Sequence, residues 1–273
     1  MEVVIVSGPD EAGELVGDAV AALVADRPDA VLGLATGSSP LAVYRDLARR
    51  HAAGTLSLAR ARAFLLDEYI GLPRGHTEGY RTFVARELEP HVDLPPGAVH
   101  GPDVWADDLL ASCRAYESAI AAAGGVDLQL LGIGTDGHIG FNEPGSSLAS
   151  RTRIKTLTDR TRADNARFFT SVYEVPRHVI TQGVGTILEA RHLVMLAFGA
   201  AKAEAVARSV EGPVTAMAPG SALQLHPHVT VVVDAGAASG LTASLKAALR
   251  TRAFVFNTLL ADKATKDRLR SFE

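Results

Sequence analysis

Residues 31–48 read VLGLATGSSPLAVYRDLA: a short apolar run, a Thr36-Gly37-Ser38-Ser39-Pro40 turn, then Leu41, Tyr44, Leu47 and Ala48 at helical spacing. A buried strand passing through a tight turn into an amphipathic helix is half of a βαβ unit. The rhythm recurs on both sides. Residues 3–7 read as a strand, followed by a helix from near Asp10 to before Pro28 with Leu15, Ala19, Ala22 and Leu23 at helical spacing. Residues 63–66, 126–131, 193–198 and 229–233 read as further strands, and residues 77–88 and 107–123 as helices. The strands are continuous apolar runs, as expected of a mainly parallel sheet covered by helices on both faces. No linker or repeat interrupts the pattern, so residues 1–273 are expected to form a single α/β domain. Residues 146–181 break the rhythm, being polar and rich in Arg and Thr. They are expected to leave the sheet as an excursion, a lid over the strand ends.

The 27 Lys and Arg against 31 Asp and Glu leave the 273-residue chain at −4, which speaks against nucleic acid as a partner. Cys113 is the single cysteine, so an intrachain disulfide and a Cys-based zinc site are excluded. The longest nearly uninterrupted apolar stretch, residues 193–201, is about half the roughly 18 residues a membrane span needs. The first residues lack the basic region and long apolar core of a secretion signal, so no membrane and a cytoplasmic location are expected.

In open parallel sheets ligands bind beyond the carboxyl ends of the strands, and four loops there carry unusual polar residues. Gly37, Ser38 and Ser39 precede a helix whose amide groups could hold an anion, although a Ser-capped turn looks the same. Asp67 and Glu68 end an apolar strand; one of the two could project into the crevice as a general base, or both could be turn or cap acids. The third loop, Gly132 to Gly145, holds five glycines, together with Asp136, His138 and Glu143. An imidazole flanked by two acids on an irregular path suits acid–base chemistry better than metal binding, for which two histidines are normally needed. Finally, residues 151–167 hold six basic residues against Asp159 and Asp164, a local +4 that is either a solvated face or, with Lys202, an anion site.

Taken together these segments resemble glucosamine-6-phosphate deaminase. The likeness runs from Leu32 to Asp234 through LGLATGSSP, LLDEYIGLP, LGIGTDGHIGFNEPGSSLASRTRIKTLT, NARFF, ITQGVGTIL and LQLHP. The resemblance implies conversion of glucosamine 6-phosphate and water to fructose 6-phosphate and ammonia. It implies a Rossmann-like three-layer α/β/α fold, shared with ribose-5-phosphate isomerase and 6-phosphogluconolactonase. On the matching positions, Asp67 is the proton-transfer base and His138 the ring-opening group, with Asp136 and Glu143 as supporting carboxylates. Gly37, Ser38, Ser39, Arg167 and Lys202 fall on the phosphate-binding positions. No cofactor or metal is expected, since imine hydrolysis needs no Lewis acid.

Some members are hexamers activated by N-acetylglucosamine 6-phosphate, and the matching positions are Ser146, Ser147, Arg153, Lys155 and Thr156. After Ala235 the likeness loosens, and Phe254 and Phe256 are not clear equivalents of the family's C-terminal tyrosine. Two other readings compete. A 6-phosphogluconolactonase-like hydrolase shares the phosphate turn, the acidic strand end and a similar loop, but has apolar sequence where Phe141-Asn142-Glu143-Pro144 stands here. A non-catalytic sugar-phosphate sensor would keep phosphate recognition without needing Asp67 or the Asp136–His138–Glu143 group.

Overall fold

In the computed structural model, residues 1–245 are described. Phe254 and Phe256 lie outside the described residues. Seven strands form a sheet that is parallel throughout: β1 (Glu2–Val6), β2 (Val31–Leu34), β3 (Arg62–Leu65), β5 (Val99–His100), β6 (Leu128–Gly132), β9 (His192–Ala197) and β10 (Val229–Asp234). Their order is β1-β10-β9-β6-β2-β3-β5. The connecting helices are α1 (Pro9–Asp26), α2 (Leu41–Ala52), α3 (Tyr80–Glu87), α4 (Leu109–Ala122), α5 (Asp159–Asn165), α6 (Val184–Ile187) and α7 (Ala203–Val210). The apolar runs become the core: Leu131, Leu193, Val231, Val232 and Val233 are fully buried. A helix-covered parallel sheet is thus what the apolar runs predict. No helix among the described residues is long and apolar enough to cross a membrane.

Chain order reverses between β2 and β6, which lie side by side although the chain reaches β3 and β5 on one flank and β9 and β10 on the other. Such a switch point opens a crevice between loops that diverge in opposite directions, and it is where open α/β sheets hold ligands.

Residues 146–181 leave the main sheet. The excursion contains two strands, β7 (Arg153–Thr156) and β8 (His178–Thr181), which join a third, β4 (Asp67–Tyr69), in an antiparallel sheet ordered β4-β8-β7. It is fastened to the main layer at Glu117 of α4, which accepts hydrogen bonds from the Thr152 amide (2.7 Å) and the Thr186 hydroxyl (2.6 Å) and pairs with Arg151. Partial burial would raise the Glu117 pKa, but these hydrogen bonds and the Arg151 charge outweigh it and hold it below the usual range.

Candidate active site

The chain changes sheets at Leu66. Where it departs, the Leu65 carbonyl accepts hydrogen bonds from the Tyr116 hydroxyl (2.6 Å) and Gln182 Nε2 (2.9 Å), while the Gln182 amide donates to the Leu66 carbonyl (2.8 Å). Backbone groups released from the ladder are thereby satisfied. Asp67 begins β4 directly opposite Thr181 and is buried. Burial foremost, then the neighbouring Glu68 charge, push the Asp67 pKa well above the ordinary carboxylate range, against a hydrogen bond from the Thr181 side chain. Glu68 turns the other way. Its carboxylate accepts from the amides of Tyr69 (2.8 Å), Tyr80 (2.9 Å) and Arg81 (2.8 Å), the last two opening α3. The acidic pair divides: Asp67 faces the crevice and Glu68 caps a helix.

In the loop after β6, His138 Nδ1 lies 2.7 Å from Asp136 Oδ1, which also accepts the His138 amide at 3.1 Å. Partial burial would raise the Asp136 pKa, yet the His138 hydrogen bond and charge hold it down to about 2. The carboxylate thus fixes one ring nitrogen and leaves Nε2 for proton exchange. Gly134 makes room for the ring: a Cβ there would stand 2.2 Å from His138 Cε1. The Phe141 ring stacks on the other aromatic wall, its centroid 6.4 Å from the imidazole.

Glu143 is not brought to His138. It is buried and bound to Thr158, whose amide (3.0 Å) and hydroxyl (3.0 Å) both donate to it. Thr158 is the N-cap of α5, so Glu143 anchors the start of that helix.

At the far end of the crevice stands the turn after β2. Gly37 takes φ +83°, a left-handed conformation that side chains resist. Lys202, on a 3₁₀ turn (Ala200–Lys202) after β9, donates from Nζ to the Ile133 carbonyl at 2.7 Å. Desolvation first, then the Arg167 charge, lower its pKa. Arg167 follows α5 with its guanidinium 4.7 Å above the Phe168 ring and its surface exposed. All these groups face one cavity of about 470 Å³: Asp67 and His138, the Gly37-Ser38-Ser39 turn, and Arg167 with Lys202. Asp136 stands behind His138 and Glu143 stands apart, neither lining the cavity.

Ser146, Ser147, Arg153, Lys155 and Thr156 also lie outside that lining. Ser146 is buried beside the Glu143 carbonyl (3.0 Å), Ser147 is exposed, and the other three share β7. Among the described residues no group of three or more His, Cys, Asp or Glu gathers to hold a metal. The cavity further includes Tyr69, Tyr80, Phe141 and Asn165, which sequence reading did not single out. Tyr69, Phe141 and Asn165 sit inside the quoted motifs, the first two looking like core aromatics, and Tyr80 and Asn165 gain meaning only from contacts across the chain.

At its switch point the parallel sheet thus gathers Asp67, His138, the Gly37-Ser38-Ser39 turn and two cations around one cavity. The chain belongs to the family described as glucosamine-6-phosphate isomerases/6-phosphogluconolactonase, whose model matches residues 9–232. Within it, the glucosamine-6-phosphate deaminase of Arthrobacter sp. (strain FB24) is 62% identical over 241 residues, covering 88% of this chain and 93% of that relative. A solved monomeric glucosamine-6-phosphate deaminase superimposes with a TM-score of 0.86 at 42% identity, covering 88% of this chain and 100% of its own. The 6-phosphogluconolactonase of Leishmania guyanensis gives a TM-score of 0.71 at 23% identity over 89% of this chain and 99% of its own, a likeness of fold.

Proposed function

We propose that this chain is a glucosamine-6-phosphate deaminase, converting glucosamine 6-phosphate and water to fructose 6-phosphate and ammonia. The observation that carries the reading is one cavity holding a desolvated carboxyl, Asp67, a carboxylate-held imidazole, His138, and two cations, Arg167 and Lys202. The identities of 62% and 42% to deaminases support the same substrate.

Each residue has a task that fits its surroundings. The phosphate rests on the Gly37–Ser39 turn between Arg167 and Lys202, orienting the sugar from a site remote from the reacting carbons. His138 moves a proton from the C1 hydroxyl to the ring oxygen, opening the ring, while Asp136 keeps the imidazole turned and steadies its transient charge. Asp67 removes the C2 proton and returns it to C1. Its desolvated carboxyl has a proton affinity raised toward that of its task, as an effective general base needs. The resulting C2 imine adds water and releases ammonia.

Residues 146–181 form the lid of this proposal, and their stretch 159–169 carries Arg167 and Phe169 to the cavity wall. Activation by N-acetylglucosamine 6-phosphate between subunits rests on Ser146, Ser147, Arg153, Lys155 and Thr156, and hyperbolic kinetics unchanged by that compound would refute it. A cytoplasmic location fits a substrate of this kind.

The test is a paired assay on the purified chain. Ammonia and fructose 6-phosphate should appear from glucosamine 6-phosphate without added metal. Silence there with hydrolysis of 6-phosphogluconolactone would assign the lactonase reading instead, and binding without turnover of either would assign the sensor.

A further inference from the structure

Tyr69 is a buried hydroxyl that the mechanism leaves unused. It is only 2% exposed, yet it lines the cavity two residues beyond Asp67. Its ring is held among Tyr80, Phe141 and Phe169, with centroids 4.9, 5.8 and 5.9 Å away. The Tyr80 hydroxyl donates to Tyr69 Oη at 3.1 Å, and Asn165 Nδ2 donates to the same oxygen at 2.9 Å. A phenol oxygen has two acceptor sites and one hydrogen. The two phenols bring two hydrogens to this one mutual bond, so with Tyr80 as its donor both acceptor sites of Tyr69 are taken and the Tyr69 O–H is the hydrogen left over. A buried donor without a partner is costly, so one aimed at a ligand cavity calls for a ligand oxygen.

The proposed reaction already assigns the other positions of the sugar. Asp67 works at C1 and C2, His138 at the ring oxygen, and the cations at the phosphate on C6, which leaves the hydroxyls on C3 and C4. We propose that Tyr69 is a specificity-determining donor to the C3 or C4 hydroxyl oxygen of the bound sugar, with Tyr80 and Asn165 as its positioning residues. This rests on the deaminase reading. Asn165 ends α5 two residues before Arg167, so the contact also ties the phosphate-binding segment to the Asp67 wall.

The test compares wild type and Tyr69→Phe, as the full chain, on glucosamine 6-phosphate and on its 3-deoxy and 4-deoxy analogues. Wild type should lose about 3- to 10-fold in kcat/KM on one analogue, the scale of one neutral hydrogen bond. Tyr69→Phe should lose a similar factor on the parent sugar and nothing further, within twofold, on that same analogue. Competition by inorganic phosphate should stay within twofold, showing an intact site. Asn165→Ala, which keeps the aromatic cluster, should shrink the same deoxy penalty and leave the other unchanged, and it decides the matter if Tyr69→Phe does not fold. Equal deoxy penalties in wild type and variants overturn the proposal. No ammonia from wild type on the parent sugar would instead sink the underlying reading.

Discussion

Replacing Asp136 by Asn keeps the shape behind His138 and removes the charge. The Asp136 carboxyl is held down to about 2 from an ordinary 3.8. At 1.36 kcal/mol per unit, that is about 2 kcal/mol of net preference for the ionised form in this half-buried setting. The His138 ring bond at 2.7 Å is the leading favourable cause, and the His138 amide at 3.1 Å supplies part of the rest. If most of it steadies the imidazole while it carries a proton, Asp136→Asn slows ring opening by about 10- to 30-fold. The assay is kcat/KM for ammonia release, alongside inhibition by the acyclic 2-amino-2-deoxyglucitol 6-phosphate, which needs no ring opening. The expected result is a fall of that size in kcat/KM with inhibition unchanged within twofold. Stability follows the same linkage. A folded-state pKa below the unfolded one means that the Asp136 contribution is present above about pH 4 and disappears as the pH falls toward 2. Wild type should therefore melt above Asp136→Asn at neutral pH, with the gap closing on acidification. A variant that turns over within threefold of wild type refutes the assigned role.

Other outcomes follow from the same geometry. The acid limb of kcat/KM should lie above the ordinary carboxylate range, because Asp67 must be ionised to act and burial raises its pKa. Thr181→Val should move that limb further up by removing the opposing hydrogen bond, and an unmoved limb in a pH–rate profile counts against Asp67 as the base. Lys202→Met should raise KM for the sugar phosphate by about 10- to 100-fold, the scale of a lost charge-assisted contact, with inorganic phosphate inhibition weakened in parallel. Gly134→Ala should cost most of the activity, since the added Cβ would stand 2.2 Å from His138 Cε1 and displace the ring. Activity within twofold of wild type would mean that the ring's position against Gly134 is not needed.

The parallel sheet was legible because residues 31–34, 128–131, 193–197 and 229–233 are short, mainly apolar runs whose burial is a local property of the sequence. The second sheet was not. Asp67-Glu68-Tyr69 looks like a turn because two carboxylates have low strand propensity. It is extended only because β8, more than 100 residues later, supplies a partner. The same distance hid the roles of Gln182 and Asn165, whose bonds to Leu65 and Tyr69 span 117 and 96 residues. Asp136 and His138 could be paired from sequence because only Gly137 separates them. Glu143, five residues further on, looked equivalent and is instead drawn to Thr158 by the start of α5. Spacing marks which residues carry chemistry; tertiary pairing decides which of them meet.

The most direct test of the account follows hydrogen at C1 and C2 in deuterium oxide. Wild type should give fructose 6-phosphate in which part of the C2 hydrogen is carried to C1 and the rest is replaced there by deuterium that reaches Asp67 from solvent. Asp67→Asn should give neither product nor exchange of the C2 hydrogen, while 2-amino-2-deoxyglucitol 6-phosphate still binds within threefold of wild type. C2 exchange by Asp67→Asn at a rate near that of wild type would contradict the assignment of Asp67 as the base and, with it, the mechanism built on this cavity.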